Sequence, residues 1–201
     1  MEIIVLIEGV HNDLGPLEGT SVINSINPIC SSVTLIKEKK NIIIDTGFRG
    51  FQYEIVSRLQ EQNLSCEEID YVFNTHSHFD HCYNNYLFTN AKLIFGQSIL
   101  TPKKWDVLNK IAIPDLSVIE TPGHYPDHQS ILVKTDKIFV IAGDAIREDI
   151  IRNEVMWNSM NSEYTASAKH ILDIADVIVP GHGKTIEGKL LRELKMIIES
   201  R

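Results

Sequence analysis

The sequence predicts a mixed α/β chain in which two β-sheets pack on one another with helices on the outside. Three observations carry that expectation. Short apolar runs rich in β-branched residues come in two batches, each followed by segments of helical periodicity. Polar and glycine-containing punctuation falls at the ends of those runs. Hydrophobic residues make up 43% of the chain and charged residues 23%, a globular balance with enough apolar material for a sizeable core. With 201 residues, one domain spanning 1–201 is expected.

The elements follow in order. Ile3 to Ile7 is a continuous apolar run of strand length. His11 to Thr20 holds Asn, Asp, Gly15, Pro16 and Gly19, the composition of an irregular loop. Val33 to Ile36 and Ile42 to Ile44 form a hairpin across the polar turn Lys37 to Asn41. Tyr53, Ile55, Val56, Leu59 and Leu64 recur near helical spacing, which predicts a helix over Phe51 to Gln62. Further strands are expected at 71–73, 93–95, 118–119, 131–133, 138–141 and 177–179. A helix over Ser162 to Ala175 places Ala166, His170 and Ile174 on one face, and Leu190, Leu191, Leu194, Ile197 and Ile198 make a terminal amphipathic helix.

Charge and cysteine content narrow the function classes. Lys plus Arg total 19 against 27 Asp plus Glu, a net charge of −8, which disfavours nucleic acid or an anionic membrane as partner. Cys30, Cys66 and Cys82 are odd in number and lack CxxC spacing, so neither a disulfide framework nor a zinc ribbon is expected. The amino terminus has no basic n-region, and no apolar run reaches the ~18 residues that span a bilayer. A soluble cytoplasmic protein is the expectation, and a homodimer is compatible with it.

Chemistry concentrates in histidine. Thr75-His76-Ser77-His78-Phe79-Asp80-His81 follows the strand 71–73 directly. In extended chain, side chains two apart point the same way, so His76 and His78 can share one metal. A curl after Phe79 lets Asp80 and His81 face a neighbouring metal; imidazole and carboxylate suit zinc and similar divalent ions. Thr121-Pro-Gly-His124, Ala142-Gly-Asp144 and Pro180-Gly-His182-Gly183 each place a ligand type at a strand end beside a glycine, which permits tight turns and close backbone approach.

With those residues in hand, the chain resembles the metallo-β-lactamase-fold superfamily, whose five motifs are matched in order from Asp45 to His182. The resemblance implies a four-layer αβ/βα sandwich. It also implies that His76, His78 and His124 hold one metal, that Asp80, His81 and His182 hold a second, and that Asp144 bridges both. Asp45, in Ile42-Ile-Ile-Asp-Thr-Gly47, would orient the ligand loop from behind. The last third, from Val140 to Arg147 and from Ala168 to Gly183 with Trp157, is similar to the metallo-β-lactamase-domain-containing protein 1 family, some members of which are RNA-processing endonucleases. His78 to His81 with Pro122 to Ser130 is similar to quorum-quenching lactonases, which carry a tyrosine where this chain has Arg147.

Other branches fit less well. Dedicated β-lactamases lack the bridging aspartate, flavodiiron proteins have Glu at the position of His78, and glyoxalase II carries a longer carboxy-terminal segment than the 18 residues after Gly183. The expected activity is therefore a binuclear metal-dependent hydrolase that uses a metal-bridging hydroxide on a small ester, thioester or lactone, with Asp80 and Asp144 as its catalytic carboxylates. The alternatives are a phosphodiesterase or ribonuclease, an iron-dependent persulfide dioxygenase, and a non-catalytic binding module. Two divalent ions are expected, zinc by default, with iron or manganese also suited to these ligands. Arg147, Tyr125, His128 and Lys184 are the candidate substrate contacts, with Phe79 nearby. Trp157 and Tyr83 read as packing residues, and Cys82 as a buried thiol.

Overall fold

The computed structural model describes residues 1–10, 29–101, 103–107 and 116–201, so the loop expected over His11 to Thr20 lies outside the described residues. Among those residues the strands fall into two sheets. The first contains β1 (Glu2–Ile7), β2 (Val33–Lys37), β3 (Asn41–Ile44), β4 (Tyr71–Asn74), β5 (Lys92–Phe95), β6 (Ser98–Thr101) and β7 (Lys104–Val107), side by side in that order. The second contains β8 (Ser117–Glu120), β9 (Gln129–Lys134), β10 (Ile138–Gly143), β11 (Val177–Pro180) and β12 (Ile186–Glu187), in the order β12-β11-β10-β9-β8. The helices are α1 (Gln52–Glu61), a single turn α2 (Phe79–Cys82), α3 (Glu148–Arg152), α4 (Glu154–Ser159), α5 (Ser162–Ile174) and α6 (Gly188–Glu199).

Burial on both faces explains the continuous apolar runs. Between the sheets, Ile36, Ile42, Ile44, Phe73 and Ile94 of the first meet Ile131, Val133, Ile141 and Val179 of the second. The outer face of the first sheet packs Leu35, Ile43 and Val72 against Ile55 and Leu59 of α1. The outer face of the second packs Val140 and Ile178 against Ala168 and Ile171 of α5 and Leu191, Leu194 and Ile198 of α6. Helix, sheet, sheet, helix is the resulting order of layers.

Strand direction then positions the loops. β3 and β4 are parallel, as are β10 and β11, and β8 and β10 are both antiparallel to β9. Each sheet therefore delivers the carboxyl ends of its like-directed strands to one edge. Those ends lead into Asp45, His76, His124, Asp144 and His182. Crevices at the carboxyl ends of strands are where open α/β sheets bind ligands.

Three expectations are corrected. In α5 the buried residues are Tyr164, Ser167, Ala168, Ile171 and Leu172, while Ala166 and His170 are exposed. The i, i+4 spacing of 166, 170 and 174 mimics an apolar stripe, but the face towards the second sheet is set by Tyr164 and Ile171. The β6–β7 hairpin escaped the reading because its strands are half exposed and mixed in polarity. So did α3 and α4, each a turn or so long, for which Asn153 ends one and caps the other by accepting the Met156 N–H at 3.1 Å. Among the described residues, no helix is long and apolar enough to cross a membrane.

Candidate metal centre

The five segments converge. His76 Nε2 lies 2.9 Å from His78 Nδ1, and His124 Nε2 lies 3.0 Å from the same atom. Asp144 Oδ2 is 3.3 Å from His124 Nε2, while Asp144 Oδ1 is 3.3 Å from His81 Nε2 and 3.5 Å from His182 Nε2. Asp80 Oδ2 stands 3.1 Å from His182 Nε2. Three overlapping groups thus have donor atoms within 4.8 Å of one another: His76, His78 and His124; His76, His81 and Asp144; Asp80, His81 and His182.

Neighbouring groups set the protonation of each ring. Asp45 Oδ2 accepts the His81 Nδ1–H at 2.7 Å, leaving Nε2 aimed at Asp144 and Asp80. The same carboxylate accepts the Thr75 N–H and hydroxyl, both at 2.8 Å. With its proton committed to Asp45, the Thr75 oxygen accepts the His76 Nδ1–H at 3.1 Å, which presents His76 Nε2 as a lone pair. His182 Nδ1–H donates to the Val10 carbonyl at 3.1 Å, with the same result. A hydrogen bond at one imidazole nitrogen decides what the other can bind. The device is repeated three times here.

These donors suit a cation. His81 Nε2 and Asp144 Oδ1 are buried and have no hydrogen-bond partner among the described residues, although they face one another. Burial pulls the pKa of His81 down, but Asp45 and Asp144 on either side hold it well above the usual histidine value. Burial likewise opposes ionisation of Asp144, yet His81 and His182 hold its carboxyl well below the usual range. The surroundings favour positive charge among lone pairs and carboxylates, which a divalent ion supplies. Two nitrogens at ~2.0–2.1 Å from a tetrahedral zinc lie ~3.3 Å apart, close to the spacings above.

Close approach depends on glycine. A Cβ at Gly181 would collide with Asp144 Oδ1 and come within 2.9 Å of His81 Cε1, so only glycine lets β11 end against the carboxylate. Asp45 itself sits at a φ of 54°, a left-handed conformation that Asp tolerates better than most residues and that here turns its carboxylate under the His81 ring.

The four candidate substrate contacts are placed differently. Tyr125 lies beside the centre, its ring 5.2 Å from that of His78. Lys184 is exposed just after the His182 turn. Arg147 forms a two-pronged ion pair with Asp149, at 3.0 and 2.9 Å, and its Nη1 is 4.0 Å from Asp144 Oδ2. Its side chain is 17% exposed, so this is not a surface pair. His128 is buried behind the ligands, stacked on His76 with ring centroids 5.0 Å apart and Nδ1 2.9 Å from the Thr121 hydroxyl. Burial lowers its pKa to about 3 and keeps it neutral.

Trp157 is buried in the core, as read, whereas Tyr83 is 43% exposed and meets Phe48 edge-on. Phe79 is exposed. Cys82 is half-buried rather than buried; its thiol donates to the His78 carbonyl, and burial raises its pKa to about 11. Thr75 was not singled out from sequence; it stands inside the histidine motif, where its hydroxyl was the available signal. Asp149 is expected from sequence only as one of two neighbours, with Glu148, that can pair with Arg147 at the surface; the pair with Asp149 forms, but with the guanidinium largely buried.

Three comparisons place the chain among known proteins. The family model described as the metallo-β-lactamase superfamily matches residues 28–93. A protein of Methanocaldococcus jannaschii described as a metallo-hydrolase is 31% identical over 160 residues, covering 75% of each chain. Metallo-β-lactamase domain-containing protein 1 of Xenopus laevis is 27% identical over 192 residues, covering 89% of this chain and 78% of that one. A crystal structure from Thermotoga maritima, described as of metallo-β-lactamase type, has a TM-score of 0.66 at 20% identity and covers 93% of this chain and 99% of its own.

Proposed function

Since the chain belongs to the metallo-β-lactamase superfamily and is a metal-dependent hydrolase, we propose that its centre holds two divalent ions, zinc by default, and cleaves a small ester, thioester or lactone. The observation that supports this reading is the Asp144 carboxylate, whose Oδ2 faces the His124 side and whose Oδ1 faces His81 and His182. A carboxylate placed in that way would serve two ions. His76, His78 and His124 would hold the first, Asp80, His81 and His182 the second, with Asp144 between them.

Bound there, two such ions supply Lewis acidity that polarises the scissile oxygen and lowers the pKa of the attacking water to near 7. The side chains do the rest. Asp45 and Thr75 fix the His76 and His81 rings so that no reorganisation is needed during turnover. Asp144 is 5% exposed and stays a fixed anion, whereas Asp80 is 23% exposed and reaches the solvent side of the cleft. His182 counteracts the effect of burial and keeps the Asp80 carboxyl ionised. Of the two carboxylates, the more exposed Asp80 is the one we assign to carry the proton between water and the leaving atom.

A carboxylic derivative is favoured over a phosphodiester because little positive charge is offered to a phosphate beyond the exposed Lys184. The Arg147 guanidinium is engaged by Asp149, and the chain carries a net charge of −8. Elemental analysis of protein purified without chelator, together with rates on p-nitrophenyl ester, thioester, lactone and bis-p-nitrophenyl phosphate substrates, tests the proposal. Two equivalents and hydrolysis of a carboxylic substrate are expected. One equivalent after metal supplementation would sink the two-ion reading, and a loaded protein inert on the whole panel would point to a binding module.

A further inference from the structure

One short segment of the first sheet touches both loops that carry Asp80, His81 and His182. Ser31 and Ser32 lead into β2 at the edge where the centre lies. The Ser31 N–H donates to the Asp80 carbonyl at 3.1 Å, and the next amide, Ser32 N–H, donates to the Gly181 carbonyl at 2.7 Å. The Ser32 hydroxyl donates to the Pro180 carbonyl at 2.7 Å and accepts the Gly9 N–H at 3.0 Å. Gly9 in turn accepts the Gly183 N–H at 2.9 Å, and Val10 accepts the His182 Nδ1–H.

The carbonyls before His182, the amide after it and its own ring are thus tied to Ser32, directly or through Gly9 and Val10. Asp80 and His182 come from different sheets, so the covalent chain does not set the 3.1 Å between Oδ2 and Nε2. The Ser31 and Ser32 amides tie the two loops together, and the Ser32 hydroxyl adds the contacts to Pro180 and Gly9 on the His182 side. Ser32 is buried, so its hydroxyl bonds are shielded from competition by water. Among the described residues, no hydrogen bond of Ser31 or Ser32 reaches His76, His78 or the His124 turn.

We propose that Ser32 is a positioning residue: a clasp between the two sheets that sets the affinity of the Asp80–His81–His182 ion without touching it. The inference rests on the two-ion reading above. Without the hydroxyl, the Gly9 N–H and Pro180 carbonyl lose their partner. Val10 stays tied to the Cys30 carbonyl through its N–H at 2.8 Å, but the neighbouring Gly9 loses one of its ties, and the acceptor of the His182 Nδ1–H is held less firmly. Supporting residues of this kind change metal affinity ~10–100-fold.

The test equilibrates full-length wild type, Ser32→Ala and Ile198→Ala across a zinc-buffered series and counts retained zinc by elemental analysis. Ile198→Ala lowers Tm from the far side of the second sheet and controls for general destabilisation. Expected is a second equivalent ~10–100-fold weaker in Ser32→Ala alone, with the first unchanged. Two tight equivalents in Ser32→Ala, or the same loss in Ile198→Ala, would overturn the inference and leave the two-ion reading standing. A wild type that binds one equivalent would overturn both. Amide exchange in wild type needs no variant: protection at Ser31 and Ser32 should rise ~10-fold between one and two equivalents of zinc, and unchanged protection would count against the clasp.

Discussion

Asp45 Oδ2 accepts the His81 Nδ1–H at 2.7 Å, and the same carboxylate holds the hydroxyl and amide of Thr75. One buried anion at the end of β3 therefore orients both ends of the histidine loop that follows β4. Asp45→Asn keeps the shape but removes the charge, and its amide group must face a donor on one side. The second zinc equivalent should weaken ~10–100-fold while the fold persists, as read by zinc titration beside circular dichroism. Wild-type affinity in that variant would remove Asp45 from its supporting role.

Asp144→Ala is expected to cost more than any supporting residue. Its two oxygens face both halves of the centre, so metal content should fall and hydrolysis should drop by more than ~100-fold on every substrate of the panel. Full activity in this variant would overturn the bridging assignment.

Gly181→Ala should reproduce much of that loss by a different route. The added Cβ collides with Asp144 Oδ1 and crowds His81 Cε1, displacing both donors with no change in chemical composition at the centre. Zinc retention should fall while the far-ultraviolet spectrum stays native. A variant that keeps two equivalents would show that β11 can shift enough to absorb a methyl group.

Arg147→Ala should leave metal stoichiometry unchanged, because Arg147 supplies no donor to a cation. Its fork on Asp149 is partly buried but Asp149 is 38% exposed, so solvent screening limits the loss to about 1 kcal/mol, measurable by urea unfolding. If the guanidinium also pairs with a substrate anion, KM rises for anionic substrates and not for neutral ones. Equal constants on both would confine the residue to its ion pair.

A pH dependence is expected far from the centre. Burial raises the pKa of Asp70, but the Lys40 ammonium at 2.6 Å and the Asn41 N–H at 2.9 Å outweigh it and hold the carboxyl below its usual value. A carboxyl depressed in the folded state contributes stability above its unfolded pKa of ~3.9 and loses it as pH falls through the folded value. Wild type should therefore exceed Asp70→Asn in Tm at neutral pH, and the gap should close below about pH 4. A gap that persists in acid would assign the effect to packing.

From sequence alone, the layer order and the candidate donor residues that the fold brings together were legible, and for local reasons. β-Branched runs such as Ile42-Ile-Ile44 and Val177-Ile-Val179 read as strands because a strand buried on both faces must be apolar throughout. The histidine motif was legible because four chemically distinctive side chains fall within six residues, His76 to His81. What stayed hidden was decided by contacts between distant segments. His128 has the same local look as a ligand, yet the stacking of its ring behind His76 depends on how β8, β9 and β4 meet. That Arg147 can pair with Asp149, two residues on, is legible locally; that the pair lies partly buried beside Asp144 appears only once β10 ends against the His81 loop. Ser32 looks like any strand-leading serine until β2 is set beside β11. Local periodicity encodes which residues are buried and which can bind a cation; the distances between donors follow from the packing of two sheets, in which no two neighbours in space need be neighbours along the chain.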